Sequence, residues 1–360
     1  MDALKDMFNK AFYEHLATEI NKIHKPFHTG NFVKDVIKNM EDLSLNQRMR
    51  NTSKNLKKHL PEDYGQSIEI MKKVIPQLKR GYTTLVFPDF VGQYGLDHIH
   101  ISLEALAFFT RYGSSEFAIR EFLKKDFKTT IQVMEKWAGN KNEHIRRLAS
   151  EGSRPRLPWS FKLDEVIKNP AATKNILEKL KSDDTLYVKK SVANHLNDFS
   201  KDHPDYMLDL VGSWNLENPH TSWIVKHACR SLIKKGDQRS LQLFDFSKNV
   251  KIEVLNFTLG KSVLKLGDTL EFAFDMASTS KSAQKLAVDY AIHYVKKSSG
   301  LSPKVFKLKE VRLGPSESIH ISKKQILKDF TTRKHYGGMH VLEIMVNGHI
   351  FVKHKFELKI

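Results

Sequence analysis

Between His144 and Trp159 the chain reads HIRRLASEGSRPRLPW, with four arginines, no lysine, one carboxylate at Glu151 and one tryptophan at Trp159. A fixed carboxylate in a water-poor cleft stabilises a developing cation and orients a water molecule. An aromatic face attracts the same cation, while arginines would repel it but hold phosphates. Each residue also has a plainer reading. Arg147 stands four residues before Glu151 on the same helical face, so the two suit a surface ion pair of little energetic weight. Trp159 suits a buried packing side chain, and Arg154 and Arg156 suit either phosphate contacts or salt bridges to a neighbouring helical repeat. Gly152 is positioned to end the helix, and Pro155 and Pro158 favour an extended segment, which lets Trp159 fold back toward Glu151.

The elements that must position these residues follow from length and periodicity. A chain of 360 residues suits about two domains, each large enough for its own core. Its 59 Lys+Arg against 41 Asp+Glu give a formal charge of +18, which points to a polyanionic partner such as nucleic acid or an anionic membrane surface. Cys229 is the only cysteine, and the first twenty residues carry acids where a signal peptide needs an apolar run, which fits a reducing cytoplasm. No stretch approaches the ~20 apolar residues that span a bilayer.

Up to about Ser247 apolar residues recur at helical spacing, as in Phe8, Phe12, Leu16 and Ile20, or Ile131, Met134 and Ala138. After Lys251 the period becomes two: Leu270, Phe272, Phe274 and Met276 form one alternating run, and Leu286, Val288, Tyr290, Ile292 and Tyr294 another. Asn347-Gly348 between two such runs predicts a tight hairpin. The fold class expected is α then β: a HEAT-like α-solenoid over residues 1–250, holding the chemistry, followed by a small antiparallel β-sandwich of immunoglobulin-like size over 251–360.

Within the helical part EHIRRLASEGS, LYVKKSVANHL and SWIVKHACRSL begin at Glu143, Leu186 and Ser222, each after polar capping residues. Offsets near 40 residues indicate helix-pair repeats of HEAT length, whose second helices line a concave face. Those helices carry Arg146, Arg147, Lys189, Lys190, Lys226, Arg230, Lys234 and Lys235. They read as a cationic groove tracking phosphates or as ordinary solvated helix faces, and their recurrence favours the groove.

EFAIREF, from Glu116 to Phe122, followed by HIRRLASEGSRPRLPW, resembles the paired signature of the AlkC branch of the AlkC/AlkD alkylpurine DNA glycosylases, HEAT-repeat enzymes of bacterial DNA alkylation repair. The resemblance covers residues 1–250, and some members of the branch carry a C-terminal immunoglobulin-like domain. This chain departs from the pattern at Glu121, where proline is expected.

The resemblance implies a monofunctional glycosylase of base excision repair that hydrolyses the N-glycosidic bond of cationic N-methylated bases in duplex DNA. The implied substrates are 3-methyladenine, 3-methylcytosine and 1-methyladenine, attacked from the sugar side rather than in a base-reading pocket. It makes Glu151 the first candidate for the catalytic carboxylate and Glu116 the second, with Trp159 against the sugar. Glu116 also suits a first-turn acid complementing the helix dipole.

The DNA contacts expected are Arg147, Arg154, Arg156, Lys189, Lys190, Lys226 and Arg230, joined by Arg333 and Lys334, beside His335, in the loop KDFTTRKHYGG. Residues 251–360 hold 19 Lys+Arg against 10 Asp+Glu, a higher density of positive charge than in the helical part. That loop reads equally as a solubilising surface.

No HExxH, cysteine pair, GxGxxG or GxxxxGK[ST] pattern occurs, so no metal and no cofactor is expected. Asp97, His98 and His100 read as polar packing. The partner expected is double-stranded DNA with alkylated bases, not a membrane, met by a monomer in a bacterial cytoplasm, at the nucleoid. Two other classes stay open: a non-enzymatic HEAT-repeat scaffold for nucleic acid, and a peripheral membrane adaptor using the amphipathic N-terminal helix.

Overall fold

Helices begin where the sequence supplies an oxygen to accept the otherwise unpaired N–H groups of a first turn. Asn9, Asp63, Asp126 and Asn142 each do so, and Ser44 with Gln47 forms a reciprocal capping box. The structure, a computed structural model, describes residues 4–330 and 334–360. Its α-helices are α1 (Lys10–Ile23), α2 (Thr29–Ile37), α3 (Leu45–His59), α4 (Tyr64–Val74), α5 (Val86–Tyr94), α6 (Ile99–Phe109), α7 (Ala118–Lys125) and α8 (Phe127–Trp137). They continue with α9 (Glu143–Gly152), α10 (Asp164–Lys168), α11 (Lys174–Leu180), α12 (Leu186–Asp202), α13 (Pro204–Gly212), α14 (Pro219–Ala228), α15 (Arg230–Lys234) and α16 (Gln238–Gln242). None is long and apolar enough to cross a membrane among the described residues.

The chain forms two compact units. One runs to Met207 and takes up Ser213–Ala228; the other comprises Leu208–Gly212 and Cys229–Ile360. The first unit is the HEAT-like solenoid. α3 packs on α5, α5 on α7, α9 on α12 and α12 on α14, so alternate helices build one continuous layer. The apolar stripes face inward, with Leu16, Ile20, Met134, Ala138, Leu148 and Val192 all buried. The first two repeated segments open α9 and α12, and the third starts in α14 and runs on into α15, each preceded by the polar residues the pattern required: Asn142 accepts from the His144 N–H, Asp183 from Thr185, and Asn218 from His220 and Thr221.

Two buried positions fix how the layer closes around α9. A Cβ on Gly152 would stand 2.5 Å from Cγ2 of Ile119 on α7. Only the missing side chain lets these helices approach. His195 on α12 is fully buried, its Nδ1 3.0 Å from the Ser150 carbonyl and its Nε2 3.2 Å from the Thr173 hydroxyl. Burial, reinforced by the charge of Arg154, pushes its pKa down to about 3.

The second unit contains strands β1 (Ile252–Leu259), β2 (Val263–Lys265), β3 (Thr269–Ser278), β4 (Gln284–Val295), β5 (Leu301–Leu313), β6 (Ser318–Ile326), β7 (Gly338–Val346) and β8 (His349–Lys359). One sheet has the order β1-β3-β6 and the other β2-β8-β7-β4-β5. The core between them takes the alternating residues of the sequence pattern, Leu270, Phe272, Phe274 and Met276 against Leu286, Val288, Tyr290 and Ile292. Pairing is antiparallel except for the short β2, which runs parallel to β8.

Asn347 and Gly348 form the β7–β8 turn with φ 48° and 82°, the left-handed pair that a two-residue hairpin demands. β4 is buried on both faces, because Ala287 and Ala291 are covered as well. The segment after Cys229 packs on this sheet: Lys234 donates to the Val305 carbonyl, Lys285 to that of Phe244, and Asn347 to that of Ser247. Cys229 itself is buried, and that burial pushes its thiol up to about 12.

Gly152→Ala is expected to cost about 1–3 kcal/mol by overpacking against α7, read as a lowered thermal midpoint; a wild-type midpoint would show that α7 gives way freely. His195 yields a pH prediction. Its folded pKa lies below the unfolded value near 6.5, so between those values the unfolded chain binds more protons, and stability falls as pH drops from about 6.5 toward 3. Denaturation between pH 6.5 and 5 should show this slope, at most about 1.4 kcal/mol per pH unit from this residue, and His195→Gln should flatten it. An unchanged slope in that variant would assign the effect to another group, such as His340, whose pKa burial also lowers.

Candidate active site

Glu151 lies in the last turn of α9, with its side chain 8% exposed, because Leu148 and Ala149 commit this helix to the core. Its Oε1 accepts a 2.6 Å hydrogen bond from Nη1 of Arg154 and lies 3.7 Å from Nη2 of Arg147. Arg154 is itself enclosed, its Nε 2.9 Å from Oδ2 of Asp198 on α12. Burial works against the charge of Arg154, but the carboxylates of Glu151 and Asp198 outweigh it and hold its pKa above the ordinary arginine value. Lys201 completes the row at 3.0 Å from Asp198.

Glu116 stands in the turn before α7 and meets Nη1 of Arg147 in an ion pair. The Ser114 hydroxyl donates to Glu116 at 2.9 Å and accepts from Arg147 at 2.7 Å. The Arg147 guanidinium also lies 5.0 Å from the ring centre of Tyr187, whose hydroxyl pKa burial raises. One arginine thus contacts both candidate carboxylates, and the ion pair expected between Arg147 and Glu151 is present, though enclosed rather than at the surface.

Trp159 is 82% exposed and adopts φ 66°. It is not a packing tryptophan. A non-glycine residue in the left-handed region stores strain of order 1–2 kcal/mol, and such residues gather at functional sites. Trp159 lines an open cleft of about 360 Å³, together with Ser114, Arg50, Asp89, Glu121 and Phe161. Ser114 therefore belongs both to the carboxylate cluster and to the cleft under Trp159. Glu121, the departure from the family pattern, is the fourth residue of α7, and the helix runs unbroken through it.

The arginines of the long motif are engaged internally. Arg146 pairs with Asp183 at 2.6 Å and Arg156 with Asp202 at 2.8 Å, each joining a different part of α12 and its cap. Together with Arg154–Asp198, these are the inter-repeat salt bridges that stood as the alternative to phosphate contacts. Lys190 is exposed, whereas Lys189 lies 3.2 Å from His220 and 5.6 Å from the ring centre of Trp223. Lys226 and Arg230 are partly buried, on α14 and α15. Lys334 is exposed, but His335 beside it is buried and anchors its loop through Asp329; Arg333 lies outside the described residues. His98 stacks on Tyr64, as the polar-packing reading expects, whereas Asp97 is exposed and pairs with Lys125 at the surface. Among the described residues no group of three His, Cys, Asp or Glu is placed to hold a metal ion.

Sequence reasoning missed Ser114, Asp198 and Arg120. The link of Asp198 to the motif carries no local signal, because Arg154 is 44 residues away. Arg120 did carry one, as the arginine of EFAIREF four residues after Glu116.

The family described as "Uncharacterised protein YhaZ, C-terminal Ig-like domain" matches residues 253–360. The "Uncharacterized protein YhaZ" of Bacillus subtilis (strain 168) is 39% identical over 351 residues, 97% of this chain and 98% of that protein. The solved structure of Pseudomonas fluorescens alkylpurine DNA glycosylase AlkC, bound to DNA containing an abasic site analog, is 45% identical, covers 100% of both chains and superposes with a TM-score of 0.96. With the long motif built into a helical-repeat unit and an immunoglobulin-like unit after it, the chain belongs to the AlkC branch of the AlkC/AlkD DNA alkylation repair family.

Proposed function

We propose that this protein is a monofunctional DNA glycosylase of base excision repair, removing cationic N-methylated bases from duplex DNA without drawing them into a base-reading pocket. The observation that carries the reading is the pair of carboxylates, Glu151 and Glu116, fixed by one arginine, with Ser114, a hydrogen-bond partner of Glu116 and Arg147, lining the same cleft as the exposed, strained Trp159. It is supported by the full-length likeness to an AlkC held on the analog of an abasic site, the product of base removal.

Methylation at a ring nitrogen places positive charge on the base. The C1′–N bond breaks with its electron pair passing to the base, which leaves neutral, and the charge moves to the deoxyribose ring. Glu151 stabilises that charge through space, and the Trp159 face adds to the attraction. Water then adds to C1′ and gives its proton to a carboxylate, Glu151 or Glu116. The implied substrates are 3-methyladenine, 3-methylcytosine and 1-methyladenine.

Chemistry resides in residues 1–250. Phosphates are held by the lysines of the concave layer, Lys189, Lys190 and Lys226, with Arg230, while Arg147, Arg154 and Arg156 reach the backbone only by sharing their carboxylate partners. Residues 251–360 add backbone contacts through Arg333 and Lys334. The protein acts as a monomer on the bacterial chromosome.

Incubation with DNA treated with a methylating agent, followed by mass spectrometry of the free bases, tests the reading directly. Binding without release of a base would leave a nucleic-acid scaffold. Glu151→Gln should lower single-turnover excision about 10²–10³-fold, the scale of losing one pre-aligned electrostatic group, while retaining DNA binding; wild-type rates would remove Glu151 from the chemistry. Trp159→Gly relieves the left-handed strain and removes little packing, so its thermal midpoint should match or exceed wild type while excision falls at least about tenfold. A sharply lowered midpoint would return the ring to a packing role.

A further inference from the structure

We infer that Arg120 is a positioning residue for base excision, a buried clamp that holds Glu151 and Trp159 in register; the inference rests on the glycosylase reading. Arg120 is the largest fully buried side chain of the described residues. Its Nη1 donates to the carbonyls of Gly152 at 3.1 Å and Arg154 at 2.6 Å, and its Nη2 donates to that of Phe161. The guanidinium also lies 5.3 Å from the ring centre of Phe161. Among the described residues no carboxylate pairs with it directly, Asp198, Glu116 and Glu151 acting on it only through space, and its Nε has no hydrogen-bond partner.

This is an expensive arrangement for stability alone. A charge is buried against neutral acceptors, and burial together with the nearby charge of Arg154 pulls its pKa down to about 10. A methionine of similar volume would fill the space without that cost. What only a guanidinium provides is a rigid planar fork reaching several acceptors at once, which lysine does not.

The acceptors say what the fork is for. Gly152 follows Glu151 directly, Arg154 is the partner of Glu151, and Phe161 follows Trp159 by two residues. The stretch between them has little of its own to hold it. Pro155 and Pro158 have no N–H, and its internal backbone hydrogen bonds are few, such as Ser160 to Leu157 and Leu163 to Pro155. Arg120 ties both ends of this stretch to α7 and places a cation at the C-terminal end of α9, where the helix dipole favours one. The two signature motifs are thereby one device: EFAIREF supplies a carboxylate, Glu116, and the clamp for the second motif, Arg120.

The test compares Arg120→Lys and Arg120→Ala with wild type on methylated duplex DNA under single turnover, with the active fraction counted by DNA-binding titration. Arg120→Lys should fold and bind undamaged DNA normally, yet excise about 10²-fold more slowly per binding-competent molecule, the scale of an ångström-level misplacement. Amide hydrogen exchange should rise selectively across residues 153–163. Millimolar methylguanidinium should restore part of the Arg120→Ala rate and leave wild type unchanged.

A wild-type rate per competent molecule in Arg120→Lys, or a deficit explained wholly by unfolded protein, overturns the inference. If Arg120→Ala does not fold, the lysine variant and its exchange pattern decide. Wild type that releases no base would sink the glycosylase reading, while unchanged protection of 153–163 in Arg120→Lys would separately sink the clamp.

Discussion

A carboxylate steadies a passing cation only while something other than that cation fixes its position. The carboxylates proposed for that task in this molecule are fixed by alternating charges across three elements: Glu116 before α7, Arg147 and Glu151 on α9, Arg154 just beyond it, and Asp198 on α12. Most members are paired on two sides, so removing one charge unbalances its buried neighbours and costs more than loss of a surface pair. The helix-pair geometry follows from this constraint. α9 must approach α7 closely enough for Arg147 to meet Glu116, which Gly152 permits, and α12 must bring both Asp198 and His195 to the end of α9.

Much of this architecture was legible because burial on one face repeats with the period of the element. The switch from helical spacing to alternation marks the change from solenoid to sandwich, and Asn347-Gly348 identified its turn because few residues accept that backbone conformation. Glu151 and Trp159 were legible only as part of a long motif. What composition could not tell is that Trp159 faces solvent, since the same residue types would serve a packed loop. Asp198 and Ser114 were hidden for another reason: their roles depend on partners tens of residues away, and no local pattern encodes such pairing. The short β2 is too brief to carry a period. Periodicity also reports that 230–242 is helical without reporting which core it joins; packing on β4 and β5 explains why β4 is apolar on both faces.

The cations divide by chemistry. Arginines of the motif engage carboxylates or carbonyls in planar, multidentate contacts, as Arg156 does with both oxygens of Asp202. Lysines such as Lys190 remain hydrated at the surface. The formal charge of +18 therefore overstates what the long motif offers a polyanion, and long-range attraction rests mainly on ammonium groups outside it. Attraction and precision are thus assigned to different side chains.

The single sulfhydryl has a meaning of its own in this setting. Methylating agents consume thiolates as readily as they modify nucleobases, since both are electron-rich nucleophiles. Cys229 is buried and its thiol is pushed up to about 12, so almost none of it is ionised at neutral pH. The chemical stress that would generate the proposed substrates therefore meets almost no thiolate at this cysteine.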